Sequence, residues 1–196
     1  MKTLCVYCGS SAGKDPLYKK EAAIFAALMA RKEIDLVYGG ANIGIMHTLA
    51  ETILEAGGKV TGVMPRNLLK REVGHTGLSK MYIVETMNQR KELMGELADG
   101  FVALPGGFGT YDELFEVLTW NQLGISDKPV GALNINGYFD PLISLIEKGI
   151  SEGFIREEHR DCLIVETEGE KLLERMAAFQ PIHVEKWIDR LKEKGY

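Results

Sequence analysis

The 196-residue sequence is poor in several residue types that carry chemistry or cross-links: three cysteines, four histidines and two tryptophans. An odd count of cysteines (Cys5, Cys8, Cys162) does not describe a disulfide framework. Cys5-Val6-Tyr7-Cys8 has redox spacing, but a redox pair sits after a strand, at a helix N-terminus that stabilises the thiolate. Here the pair falls in the first predicted strand and reads as buried structural thiols. His47, His75, His159 and His183 are scattered, none at metal-ligand spacing from another histidine or a cysteine, so no metal site is expected. Positive charge is also short: 23 Lys+Arg against 28 Asp+Glu leaves a net charge of -5, which argues against nucleic-acid or membrane-surface partners. No apolar run approaches membrane-spanning length. Met1-Lys2-Thr3-Leu4 enters a strand-like run without the features of a signal peptide, so a cytoplasmic protein is expected. No Gly-Lys-Ser/Thr follows a glycine turn, which removes a P-loop. No G-x-G-x-x-G follows the first strand and no acidic residue closes the second, which removes a dinucleotide-dependent oxidoreductase. No cofactor is expected.

What is present is a regular alternation of strands and helices. Short apolar runs at Leu4–Cys8, Ile34–Tyr38, Val60–Met64, Tyr82–Val84, Phe101–Leu104, Val130–Leu133 and Leu163–Val165 read as strands. Helical spacing follows each of them but the third. Asp15-Pro16, Asn42, and Thr86 with Gln89 three residues on are expected to open helices. Leu142, Ile143, Leu145 and Ile146 are expected to face inward from a helix over 139–152. Short helices over 169–178 and 183–192 are expected to finish the chain. Strands apolar on both faces and separated by helices make a doubly wound parallel α/β sheet, expected as a single domain over residues 1–196. Ligands in such sheets bind beyond the carboxyl ends of the strands.

Leu104–Glu113, LPGGFGTYDE, is the most informative stretch. It reads as strand, glycine-rich turn, helix N-terminus, and such a turn presents backbone N–H groups and the positive end of a helix dipole to an anion. Gly106, Gly107 and Gly109 allow close approach of a ligand. Thr110 and Glu113 equally fit a capping box, with Thr110 as N-cap, and a capped turn needs no ligand. Gly9-Ser10-Ser11 and Gly39-Gly40-Ala41-Asn42-Ile43-Gly44 follow the first two strands and reach the same sheet edge. Arg90-Lys91 opposes the dipole of its own helix; the pair reads either as solvated charge or as the partner of an anionic ligand or of Glu113. Glu72 reads as part of a solvated charge run. Together these features point to a small phosphorylated ligand and leave the reaction open.

Pro105–Glu113 matches PGGxGTxxE, and Met87-Asn88-Gln89-Arg90-Lys91 resembles M-H-x-R-K. With Cys8–Ser11 and Gly39–Met46, in this order, the chain resembles the LOG ("Lonely Guy") family from about Leu4 to Gln180. These are cytokinin-activating phosphoribohydrolases, formerly mislabelled lysine decarboxylases. Asn88 stands where histidine is usual. The resemblance implies a doubly wound parallel sheet, a homodimer, and hydrolysis of the N-glycosidic bond of adenosine 5′-monophosphates, often N6-modified, to free base and ribose 5-phosphate. It implies Arg90 and Glu113 as the catalytic pair. Glu72, Lys91, Gly107, Phe108, Gly109, Thr110 and Thr119 would contact substrate, with Gly106, Ser10, Met87, Gly39, Gly40 and Met46 around it. Cleavage that builds positive charge on the sugar suits a carboxylate beside C1′. The alternative is a non-catalytic nucleotide or cofactor carrier on the same fold.

Overall fold

A computed structural model describes residues 1–69 and 74–182. The strands are β1 (Thr3–Tyr7), β2 (Asp35–Tyr38), β3 (Val60–Pro65), β4 (Lys80–Val84), β5 (Gly100–Ala103), β6 (Val130–Leu133) and β7 (Leu163–Glu166). The helices are α1 (Pro16–Arg31), α2 (Gly44–Glu55), α3 (Met87–Leu97), α4 (Phe108–Gln122), α5 (Asp140–Ser151) and α6 (Gly169–Ala177). Among the described residues seven strands form one sheet in the order β4-β3-β2-β1-β5-β6-β7, and each pairing of these strands is parallel. This is the expected doubly wound α/β architecture.

The two faces follow from side-chain alternation along each strand. In β1, Leu4 and Val6 join a core layer with Phe25, Met29, Leu49 and Leu172 of α1, α2 and α6. Cys5 and Tyr7 point the other way, into a layer with Met94, Leu114, Val117 and Phe139. All four central strands, β2, β1, β5 and β6, are apolar on both faces because helices cover both. Cys5, Cys8 and Cys162 are free and buried, as the strand reading expected for the first two.

Local signals account for some helix starts and fail at others. Asp15 accepts from the Leu17 amide and Pro16 is the first helical residue. Thr86 and Gln89 form the full capping box of α3. Asn42 does not cap α2: the N-cap is Ile43, with no side-chain bond, and the Asn42 amide oxygen is 2.6 Å from His47 Nδ1 instead. In α5, Leu142 and Ile143 pack on the core, whereas Leu145 is 64% exposed and corrects the inward expectation. The helix expected over 183–192 lies outside the described residues.

Before α5 the chain turns on Asn134, a buried side chain. Its Oδ1 accepts from the Phe139 amide and its Nδ2 donates to Asp140 Oδ1, each at 2.7 Å. Tyr138 is thereby held over the glycine turn after β5, where its hydroxyl donates to the Gly106 carbonyl. Asn134→Ala is expected to lower the unfolding free energy by about 2–3 kcal/mol, for two lost hydrogen bonds at a buried site. Urea unfolding with an unchanged m-value checks it.

Candidate active site

Connections leave β1 toward one face and β5 toward the other, so the sheet's switch point lies between these strands. The turns after them are forced apart there and leave a crevice. They stay tied at its floor, where the Gly9 amide donates to the Pro105 carbonyl at 3.1 Å. The turn after β2 joins through the Ile45 amide, which donates to the Gly9 carbonyl at 3.1 Å. Gly44 has a positive φ of 58° and a Cβ there would run into the Ser10 backbone, a position only glycine fits without strain.

The cleft so formed has a volume of about 190 Å³. Nine expected site residues line it: Ser10, Gly39, Met46, Arg90, Gly107, Phe108, Gly109, Thr110 and Glu113. Residues the motifs did not single out also line it, among them Val6, Tyr7 and Met94. Their signal was available in part, since Val6 and Tyr7 end the first strand at the edge where ligands bind. A larger groove of about 770 Å³ runs between α3 and α4, past Glu92, Glu96 and Trp120. It contains none of the glycine turns, and Asn88 lines this groove rather than the cleft. Trp120 packs on the core, while Leu123 is 59% exposed.

Glu113 and Arg90 face each other across the cleft. Arg90 Nη2 is 3.6 Å from Glu113 Oε1, and both side chains are nearly buried. That separation is an ion pair without a direct hydrogen bond, so the carboxylate oxygens remain open toward the cleft. Arg90 is aimed by a hydrogen bond from Nε to the Val63 carbonyl at 3.1 Å. It passes over Gly39, where a Cβ would run into the guanidinium. Burial pushes the Glu113 carboxyl up to about 7; Arg90 and Lys91 oppose this, while Asp112 and Glu116 add to it.

The capping-box reading of this stretch does not hold. The N-cap of α4 is Gly107, no side chain caps the helix, and Phe108 is already helical. Thr110 is buried one turn inside, against Gly106, whose Cα in turn packs near the Gly9 backbone. The first-turn amides of α4 are therefore left to the cleft, and the Glu113 carboxylate is not spent on a cap. Phe108 stands 92% exposed at the rim.

Five expected residues do not line the cleft. Lys91 is ion-paired with Asp112 and Glu116, each at 3.1 Å. Met87 touches Arg90 through its sulfur. Gly106 buttresses the turn from behind, and Gly40 packs on Met81 and Gly62. Thr119 is exposed on α4 with its hydroxyl bonded to the Phe115 carbonyl at 2.7 Å. Glu72 lies outside the described residues. The histidines are less scattered than the sequence spacing implied: His47 and His75 stack with centroids 6.3 Å apart.

A family model described as "Possible lysine decarboxylase" matches residues 46–176. The probable cytokinin riboside 5′-monophosphate phosphoribohydrolase LOGL2 of Oryza sativa subsp. japonica is 41% identical over 191 residues, covering 97% of this chain and 78% of that protein. The chain belongs to the LOG family. Cytokinin riboside 5′-monophosphate phosphoribohydrolase LOG2 of Arabidopsis thaliana is 40% identical over 182 residues, covering 93% of this LOG chain and 85% of its relative. Among solved structures, the molybdenum cofactor binding protein of Rippkaea orientalis superposes with a TM-score of 0.66 at 20% identity, covering 91% of this chain and 97% of that one. The Moco carrier protein of Chlamydomonas reinhardtii gives 0.66 at 18% identity, covering 90% and 97%. At such identities the likeness shows the shared fold alone.

The raised carboxyl makes a stability prediction for this LOG chain. A group that binds its proton more tightly folded than unfolded costs stability as pH rises from about 4.5 to 7. The cost is complete above that range, on the order of 3 kcal/mol. Glu113→Gln is expected to lack this decline, so its unfolding free energy gains on wild type between pH 4.5 and 8. Urea titrations at stepped pH measure the difference.

Proposed function

We propose that the cleft hydrolyses the N-glycosidic bond of adenosine 5′-monophosphates, N6-modified ones included, to free base and ribose 5-phosphate. The observation that carries the reading is a buried carboxylate, Glu113, 3.6 Å from Arg90 and beside an uncapped helix N-terminus. The relatives named phosphoribohydrolases, at 40–42% identity over most of the chain, support it.

The 5′-phosphate is received by the first-turn amides of α4 from Gly107 to Thr110, with Ser10 opposite, where the helix dipole and free donors favour an anion. The ribose then lies toward Glu113. As the bond from C1′ to the base nitrogen breaks, its electron pair leaves with the base and positive charge builds on the ring. The ionised Glu113 carboxylate stabilises that charge in a site that excludes most water. A water oxygen bonds to C1′, Glu113 accepts its proton and later releases it to solvent, and the base takes up a proton from solvent to leave neutral. Arg90 keeps Glu113 in position and favours its ionised form. Phe108 offers an exposed ring to the base, and Gly39, Gly40 and Met46 border it. Lys91 orders the α3–α4 flank, with Met87 and Gly106 supporting Arg90 and the turn. Glu72 is assigned to substrate by the resemblance.

Thr119 lies six residues beyond Glu113, about 9 Å along the helix. Its assigned contact with substrate requires a second copy, and the family resemblance to homodimers supports that assembly. Leu123 and Ile125, just past the end of α4, are exposed and consistent with it. Three free thiols suit a reducing cytoplasm. One sheet with a core layer on each face supports a single domain.

Purified protein incubated with AMP and with its N6-isopentenyl analogue is expected to release free base, detected chromatographically. Tight nucleotide binding without release from either would overturn the hydrolase in favour of a carrier. Glu113→Ala is expected to lower kcat/KM by about 10²–10³-fold or more while the protein stays folded. For wild type, kcat/KM is expected to rise with pH through an apparent pKa near 7, as Glu113 loses its proton. A flat profile from pH 5 to 8 would remove the ionised carboxylate from the mechanism.

A further inference from the structure

Outside the cleft, α2 and the segment entering β4 bring together three metal-ligating side chains that the hydrolytic mechanism does not use. His47 and Glu51 are four residues apart on α2 and share a face. His75 comes in from the connection between β3 and β4. One ring nitrogen from each histidine and a Glu51 oxygen lie within 4.8 Å of one another. The backbone fixes His75 in place: its amide donates to the Gly40 carbonyl at 3.0 Å, and Gly74 bridges to Ala41.

We propose that His47, Glu51 and His75 bind a divalent transition-metal ion, zinc being the best match. Two imidazoles and one carboxylate are a donor set for zinc and its neighbours, whereas magnesium and calcium take oxygens. A further observation supports the assignment. Asn42 Oδ1, 2.6 Å from His47 Nδ1, accepts the hydrogen bond that a ligating histidine makes with its second ring nitrogen. That leaves Nε2 for the metal.

Without metal, His75 Nε2 holds its proton and donates to Glu51 Oε1 at 2.6 Å, because Nδ1 accepts from the Gly77 amide at 3.1 Å. Binding moves that proton from Nε2 to Nδ1, releases the Gly77 amide, and exchanges the His75–Glu51 hydrogen bond for two coordinate bonds. No net proton is lost. The surrendered backbone bond keeps the affinity below that of a closed four-ligand site. The ion would clip α2 to a segment 24 residues further on, beside the Gly39-Gly40 turn that borders the cleft.

Titration calorimetry of the metal-free full-length protein with zinc chloride tests the site, and cobalt(II) absorption reports the coordination. One equivalent of zinc, a raised Tm and tetrahedral cobalt bands are expected. His47→Ala, which keeps the His75–Glu51 bond and so preserves the fold, is expected to weaken binding at least tenfold. Asn42→Ala is expected to weaken it about 10–100-fold, the range for outer-shell partners. His159→Ala is expected to bind as wild type. Absence of zinc uptake would overturn the assignment, as would equal uptake by wild type and His47→Ala. Neither readout depends on hydrolysis.

Discussion

In a parallel sheet, a chain that winds outward in both directions must reverse once, and the reversal opens a gap that no helix fills. Here the gap is between β1 and β5. What makes it usable is that the two turns diverging from it remain joined, Gly9 to Pro105, while a third turn is tied in through Ile45 and Gly9. Three loops distant in sequence thus become one rigid rim. α3 crosses to the far face from β4 and lays Arg90 over β2 and β3, so its cation arrives from outside the rim. The site depends on this convergence more than on any single motif.

Within it, two opposed costs set the electrostatics. A carboxylate at 7% exposure is expensive to ionise, and Arg90 offsets only part of that expense. The result is a group poised near neutrality rather than a locked ion pair. A shorter, bidentate contact would hold the charge more firmly and leave less of it for anything entering the cleft. Behind the glycine turn, Asn134 fixes the segment that carries Tyr138, and the Tyr138 hydroxyl, 2.6 Å from that of Tyr111, supplies the stiffness that the glycines lack. It anchors the Gly106 carbonyl on one side while the α4 amides remain free on the other.

The strands showed in the sequence because they depend on periodicity: short runs apolar on both faces predict β1 to β7 to within a residue or two. So did Asp15, Thr86 and the buried cysteines, where local hydrogen bonding and burial decide. Thr110 misled because a capping box and a glycine turn share the same letters. The early start of α4 at Phe108 was decided by packing of Thr110 against Gly106, which is tertiary. Asn42 misled for a similar reason, since a histidine five residues on competes for its amide. The pairing of His47 with His75 was invisible because 28 residues separate them and only the β3–β4 connection closes the gap. Leu145 shows the limit of helical spacing at the edge of the sheet, where one face has nothing left to cover.

Gly39 gives the arrangement an asymmetry of its own. The position is buried and lies at a strand end, where most sequences would tolerate alanine. The missing methyl is the space through which the guanidinium passes. A single added carbon there would meet the guanidinium nitrogen first and the Met46 sulfur after it, so the displacement falls on the far ends of flexible side chains rather than on the backbone.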